Sequence, residues 1–240
     1  MLEICVFNIA AAIAAEKAGA DRLELCENYD NGGTTPSYGT LKLIRRHINI
    51  PVFVMIKPRG GDFYFTEEEY QAMQDDVLLC KELGYEGVVI GLLDKEGNID
   101  IAKNKKLVQL AYPMEVTFHR AFDRCKNPTQ ALEDIIACGC TRILTSGQQS
   151  TAPEGQHLIK QLVEQAGERI IIMPGSGVNS KNVSALRQYT AATEFHTSAR
   201  KLVPHPIRFI NHQIKELHEI DTVNEDEIKA IQSVLATEMI

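Results

Sequence analysis

Apolar and polar residues alternate with a period of two in eight short stretches, beginning near residues 2, 21, 51, 86, 113, 141, 169 and 193. Each stretch leads into a helix-period segment or a loop. Alternation of this kind sends successive side chains to opposite faces of a strand. Eight strand–helix units, their starts 19 to 35 residues apart, predict an α/β protein with a TIM (β/α)8 barrel. An open doubly wound sheet is the alternative, since eight units do not by themselves require closure.

The stretch Met114 to Asp123 shows which way such strands face. Glu115, Thr117 and His119 share one side, Val116 and Phe118 the other. In a parallel barrel the outer face lies under helices and is apolar, so the polar side points inward. Arg120 and Asp123 then fall in the loop at the C-terminal mouth. The same reading puts Glu3, Cys5 and Phe7 inside on the first strand, and Arg22, Glu24 and Cys26 on the second. It adds Phe53, Met55 and Lys57 on the third and Glu194, His196 and Ser198 on the eighth. Charges inside a barrel must pair, so Glu3, Arg22, Glu24, Glu115 and Glu194 are expected to form a network with basic groups.

Helix boundaries are marked as well. Asn8 caps a first helix beginning with the run Ile9 to Ala15, Thr66 caps the longest helix, Glu67 to Leu83, and a last helix is expected over about 224–238. Gly19, Gly84 and Gly139 each follow a helix and precede a strand. Residues 201–221 read as an irregular connector. With 240 residues and 44% apolar content, the chain has the size of one large domain over 1–240, its barrel motifs within about 1–200.

Charge narrows the partners. A net charge of −7 with scattered Lys and Arg offers no basic stripe for nucleic acid. No apolar run approaches membrane-spanning length, and the first apolar run lacks the basic flank of a signal peptide. A cytoplasmic location is expected, with the six cysteines as reduced thiols.

Against that acidic background, Lys57, Arg59, Arg120, Arg124 and Arg200 fall at or just past strand ends, a cationic pocket suited to a small anionic metabolite. Loops after strands seven and eight often hold phosphate in such barrels. Here they carry Gly175 and Gly177, then Ser198, and with Arg120, Ser146 and His196 these are the candidate anion-binding residues. Residues 31–37 and 60–65, rich in glycine, are candidate lids. For acid–base chemistry the candidates are His119, with Asp123 to orient it, Lys57 or Arg59 to hold an anionic oxygen, and Glu24 as a carboxylate.

Several motifs together resemble the copper homeostasis protein CutC family: Glu3-Ile4-Cys5, Arg22-Leu23-Glu24-Leu25-Cys26, Gly32 to Ser37, Pro58 to Phe63, Thr117 to Asp123, Ile143 to Gly147 and Glu194-Phe195-His196. The resemblance covers about residues 1 to 200. It implies a TIM barrel, a cytoplasmic location and a role in copper handling. Lys57 stands where the family commonly has Arg, which favours a simple positive charge over a Schiff base. Copper has a physical route, because Cys5 and Cys26 point inward on adjacent strands and soft thiolates select Cu(I). Cys138-Gly139-Cys140 lies at the opposite end of the barrel, in a helix-to-strand turn. Three functions follow as expectations: Cu(I) binding through Cys5 and Cys26, lyase- or isomerase-like chemistry on a small anionic or phosphorylated metabolite, or metabolite sensing without turnover. A homodimer is the default assembly for such a barrel.

Overall fold

A computed structural model describes residues 1–211, 213 and 219–237. Strands β1 Leu2–Val6, β2 Arg22–Leu25, β3 Val52–Met55, β4 Gly87–Ile90, β5 Glu115–Phe118, β6 Arg142–Thr145, β7 Ile171–Pro174 and β8 Phe195–Thr197 form one parallel sheet. Between them run α1 Ile9–Lys17, α2 Tyr38–His47, α3 Glu67–Glu82, α4 Ile101–Ala111, α5 Pro128–Cys138, α6 Gln156–Ala166 and α7 Val183–Thr190. Strands β1 to β7 are ordered as in the sequence, and β8 pairs with β1. That sequential order rules out the doubly wound alternative, whose strand order reverses in mid-sheet. β7 and β8 come together without a backbone ladder, so the barrel is nearly closed.

Outward side chains such as Leu2, Ile4, Leu23, Val54, Ile90, Phe118, Ile143 and Phe195 form one continuous core with the helices. Burying each contributes about 1.5 to 3 kcal/mol. A separate, smaller apolar cluster lies inside: Cys5, Cys26, Phe53, Met55 and Val89, with Phe7 against it.

The helix starts follow the predicted caps. Asn8 accepts from the Ala11 N–H, and Thr66 forms a full capping box with Glu69 at the head of α3. Thr66→Ala removes the hydroxyl that receives the Glu69 N–H, and should lower stability by about 1 kcal/mol in urea unfolding with an unchanged slope. No loss would mean that the Glu69 side chain alone satisfies this end.

The stretch read as an irregular connector is corrected at both ends. Residues Arg200–Pro204 (β9) and Glu219–Val223 (β10) pair as an antiparallel ribbon; part of the segment between them lies outside the described residues. The ribbon is fastened to the barrel where Asn8 Nδ2 donates to the Asp221 carbonyl. Alternation in β10 is weak because both faces are largely exposed, which hides it from a pattern search. The closing helix α8, Glu225–Thr237, packs against α1 and α7. No helix among the described residues is long and apolar enough to cross a membrane.

Candidate functional site

The barrel floor is an ion network. Arg22 donates through Nε to Glu3 at 2.5 Å and through a terminal nitrogen to Glu194 at 2.7 Å. Arg142 donates to Glu194 at 2.6 Å and to Glu115 at 3.2 Å. Both guanidinium groups also pack against the Phe53 ring, 4.8 and 5.3 Å from its centroid. Phe53 fits because Gly87 on the next strand has no Cβ, which would come within 2.6 Å of the ring. Burial raises the Glu3 carboxyl, but the bonds from His196 and Arg22 outweigh it and bring the pKa to about 2. Arg142 was not among the expected members. Its position in Thr141-Arg142-Ile143 repeats that of Arg22 in Asp21-Arg22-Leu23, a signal the sequence did contain.

Above the floor sits a cluster of soft and hard donors. Register places Cys5 opposite Glu24, and Cys26 follows two residues later, just past the end of β2. The two sulfurs nevertheless meet diagonally at 3.8 Å, and Cys26 Sγ is 3.6 Å from Glu24 Oε2. His196 Nδ1 bonds Glu3 at 2.7 Å, which leaves Nε2 facing Glu24 at 3.8 Å. One donor atom each from Cys5, Glu24 and His196 lies within 4.8 Å of the others. Two sulfurs this close can both reach one ion at a metal–sulfur distance of about 2.3 Å. The Glu3–His196 bond fixes the ring's orientation, as outer-shell partners do for metal-binding imidazoles. The residues therefore fit a soft metal ion. The bond to Cys26 and burial hold the Cys5 thiol well above its ordinary pKa, and burial pushes Cys26 up to about 11. Burial, with Glu3 nearby, raises Glu24 as well.

A cavity of about 300 Å³ opens from this cluster to the mouth, with His119, Lys57 and Phe63 on its far side. His119 is buried, and its Nδ1 accepts the Ala121 N–H at 3.2 Å, so the neutral ring carries its proton on Nε2. Burial and the nearby Lys57 charge lower its pKa to about 3. Lys57 is buried, donates to the Asn31 carbonyl at 3.1 Å and lies 5.2 Å from the Phe63 ring centroid; burial lowers its pKa. Gly91 leaves room for the imidazole, since a Cβ there would be 2.5 Å from the ring. Gly91→Ala should therefore displace His119, with a changed His119 ring shift in NMR spectra and a stability loss of about 1 to 3 kcal/mol. An unmoved ring would contradict the packing.

Several expected site residues are turned elsewhere. Asp123 does not orient His119: it accepts from Thr145, Ser146, Gln148 and Arg120, because the turn Arg120–Arg124 swings it toward β6. Ser146 spends its N–H and hydroxyl on Asp123 and the Gln149 carbonyl, so it offers an anion no free donor. Arg59 is engaged by Glu69 and Asp62, Arg200 by Asp221 and the Tyr29 ring, and Arg124 is exposed and does not line the cavity. Of the five cations expected in the pocket, only Lys57 and Arg120 line it. Gly175 gives its N–H to the Thr145 carbonyl and packs on Leu144 and His196, so it is a close-approach position rather than an anion cradle. Gly177, Ser198, Glu24 and His196 do line the cavity. The candidate lids meet it at Gly32 and Phe63. Cys138 and Cys140 are buried in the outer core, Cys138 against the Ile101 carbonyl.

Comparison with known proteins is consistent over most of the chain. The CutC family model matches residues 1–201. A protein named family protein CutC from Chromobacterium violaceum is 50% identical over 209 residues, covering 87% of this chain and 85% of the relative. A human protein named copper homeostasis protein cutC homolog is 44% identical over 214 residues, covering 89% of this chain and 78% of the relative. The crystal structure of a CutC protein from Streptococcus agalactiae superposes with a TM-score of 0.79 at 35% identity, over 82% of this chain and 98% of that one. A phosphoribosylanthranilate isomerase from Thermotoga maritima, at 12% identity and a TM-score of 0.61, covers 98% of each chain and shares the barrel fold.

Proposed function

The chain belongs to the CutC family, and on that premise we propose that it takes part in copper homeostasis by binding Cu(I) as cargo in the mouth of its barrel. Cys5 and Cys26 are the thiolate ligands, and His196, which lies close to Cys5 and Glu24, is a further donor on the Cys5 side. The observation that carries the reading is the 3.8 Å approach of the two sulfurs inside the barrel, next to an imidazole already oriented by Glu3. Soft sulfur donors favour Cu(I) over the hard cations that carboxylates alone would hold. The cytoplasm suits it, because none of the six cysteines is bridged and thiols stay reduced there.

Anaerobic titration of the reduced protein with Cu(I) against a competing chelator tests the reading. Wild type should take up roughly one ion per chain. Cys5→Ser with Cys26→Ser should lose that binding while His119→Ala keeps it. Unchanged uptake by the double cysteine variant would sink the assignment. A second reading, chemistry on a small anionic metabolite, is supported by His119, whose Nε2 has no hydrogen-bond partner among the described residues. Turnover of such a metabolite by metal-free protein, abolished by His119→Ala, would favour it over copper handling and over sensing without turnover.

A further inference from the structure

Among the described residues, only two buried side-chain nitrogen or oxygen atoms lack a hydrogen-bond partner, Glu24 Oε1 and His119 Nε2. Both residues line the same cavity of about 300 Å³, and so does Lys57, whose ammonium has no carboxylate partner among the salt bridges of the described residues. Elsewhere in the barrel the buried charges are paired with care. Two orphaned groups on residues that line one cavity mark polar positions that a ligand completes.

Each group's chemistry says what it takes. His119 Nδ1 is already an acceptor for the Ala121 N–H, so Nε2 is a donor. The Lys57 Nζ is also a donor, with one proton on the Asn31 carbonyl and others for the cavity. Two donors, one of them cationic, ask for an anionic oxygen. Glu24 Oε2 is turned to the Cys26 sulfur, which leaves Oε1 for a hydroxyl. A doubly charged phosphate suits the cavity less well: Arg120 already gives Nε to Asp123 and a terminal nitrogen to Ser146, and Glu24 adds an acidic group to the lining.

We infer that the cavity binds a small hydroxylated monocarboxylate, with a carboxylate oxygen between His119 Nε2 and Lys57 Nζ and a hydroxyl on Glu24 Oε1. This narrows the anionic-metabolite reading to a ligand class. The two residues that grip the carboxylate are not among the proposed copper ligands, while Glu24 borders both sites.

The test is calorimetric titration of the metal-free protein with D-glycerate, with acetate as the carboxylate lacking hydroxyls and inorganic phosphate as the competing anion. Saturable glycerate binding, tighter than acetate or phosphate, is expected. His119→Phe and Lys57→Met should each weaken it roughly tenfold or more, and Glu24→Gln should shrink the preference for glycerate over acetate. The His119 Nε2 proton, followed by NMR in the wild type, should shift as glycerate is added. Circular dichroism and thermal melts of each variant establish folding. Cu(I) uptake is measured separately on the same wild-type protein, so absent copper binding beside saturable glycerate binding sinks the copper reading and leaves this one standing. No saturable glycerate binding, or equal binding by His119→Phe and Lys57→Met, would overturn the proposal. Phosphate binding more tightly than glycerate through His119 and Lys57 would overturn the ligand class while the anion pocket itself survived.

Discussion

Glu194→Leu is expected to destabilise the protein by about 3 to 5 kcal/mol, the cost of leaving buried charge without its partner. Glu194 receives bonds from both Arg22 and Arg142, and the two arginine side chains are only 3% and 4% exposed. Arg22 would keep Glu3. Arg142 would keep only Glu115, which is half exposed, and a long bond to Thr117 at 3.4 Å. Removing the acid therefore strands one guanidinium more than the other, which yields a second expectation. Arg142→Leu combined with Glu194→Leu takes away the stranded charge, leaves the Arg22–Glu3 pair intact and adds apolar volume beside Phe53. The double variant should recover a large part of the loss, a coupling measurable in a double-mutant cycle. For a chain of this length the single variant should melt roughly 10 °C lower. A loss under about 1 kcal/mol would mean that both arginines find water or other acceptors on the barrel floor.

That network also marks how far the sequence could be read. Alternation alone located Glu3, Arg22, Glu115 and Glu194, because a polar residue on the inner face stands out against Leu, Ile and Val on the outer one. The fold was legible for the same reason. The pairing of Cys5 with Cys26 was legible only as adjacency: the register sets Cys5 beside Glu24, and their contact depends on a diagonal across two strands. Loop residues were the least legible. Nothing local tells Asp123 to turn from His119 toward β6, and the partners that claim Arg59 and Arg200, Glu69 and Asp221, lie 10 and 21 residues away. A charge near a strand end says that an ion pair exists there; which partner wins depends on the turn geometry that follows. His119 lines the cavity, but a backbone N–H, not the expected carboxylate, sets its tautomer.

Copper uptake should tighten steeply as pH rises. Thiolates, not thiols, bind the ion, so protons must leave first. Cys5 and Cys26 both hold theirs at neutral pH. The bond to Cys26 and burial raise Cys5 well above its ordinary value, and burial pushes Cys26 up to about 11. Each Cu(I) bound through both sulfurs then displaces two protons, and the logarithm of the apparent affinity should climb by about two per pH unit between pH 6 and 8. The direction is fixed by the thiol being the empty state: lowering the pH returns protons to the sulfurs and expels the ion. His196 adds a diagnostic. Burial lowers its pKa, but Glu24 and Glu3 outweigh that and raise it, so ligation through Nε2 should steepen the slope below the imidazole pKa. Competition with a chelator of known pH dependence gives the slope, and calorimetry in buffers of different ionisation enthalpy counts the protons released. Replacing one cysteine with serine should cut the slope to about one. A pH-independent affinity in the wild type would remove the sulfurs from the binding site, whatever their separation in the barrel.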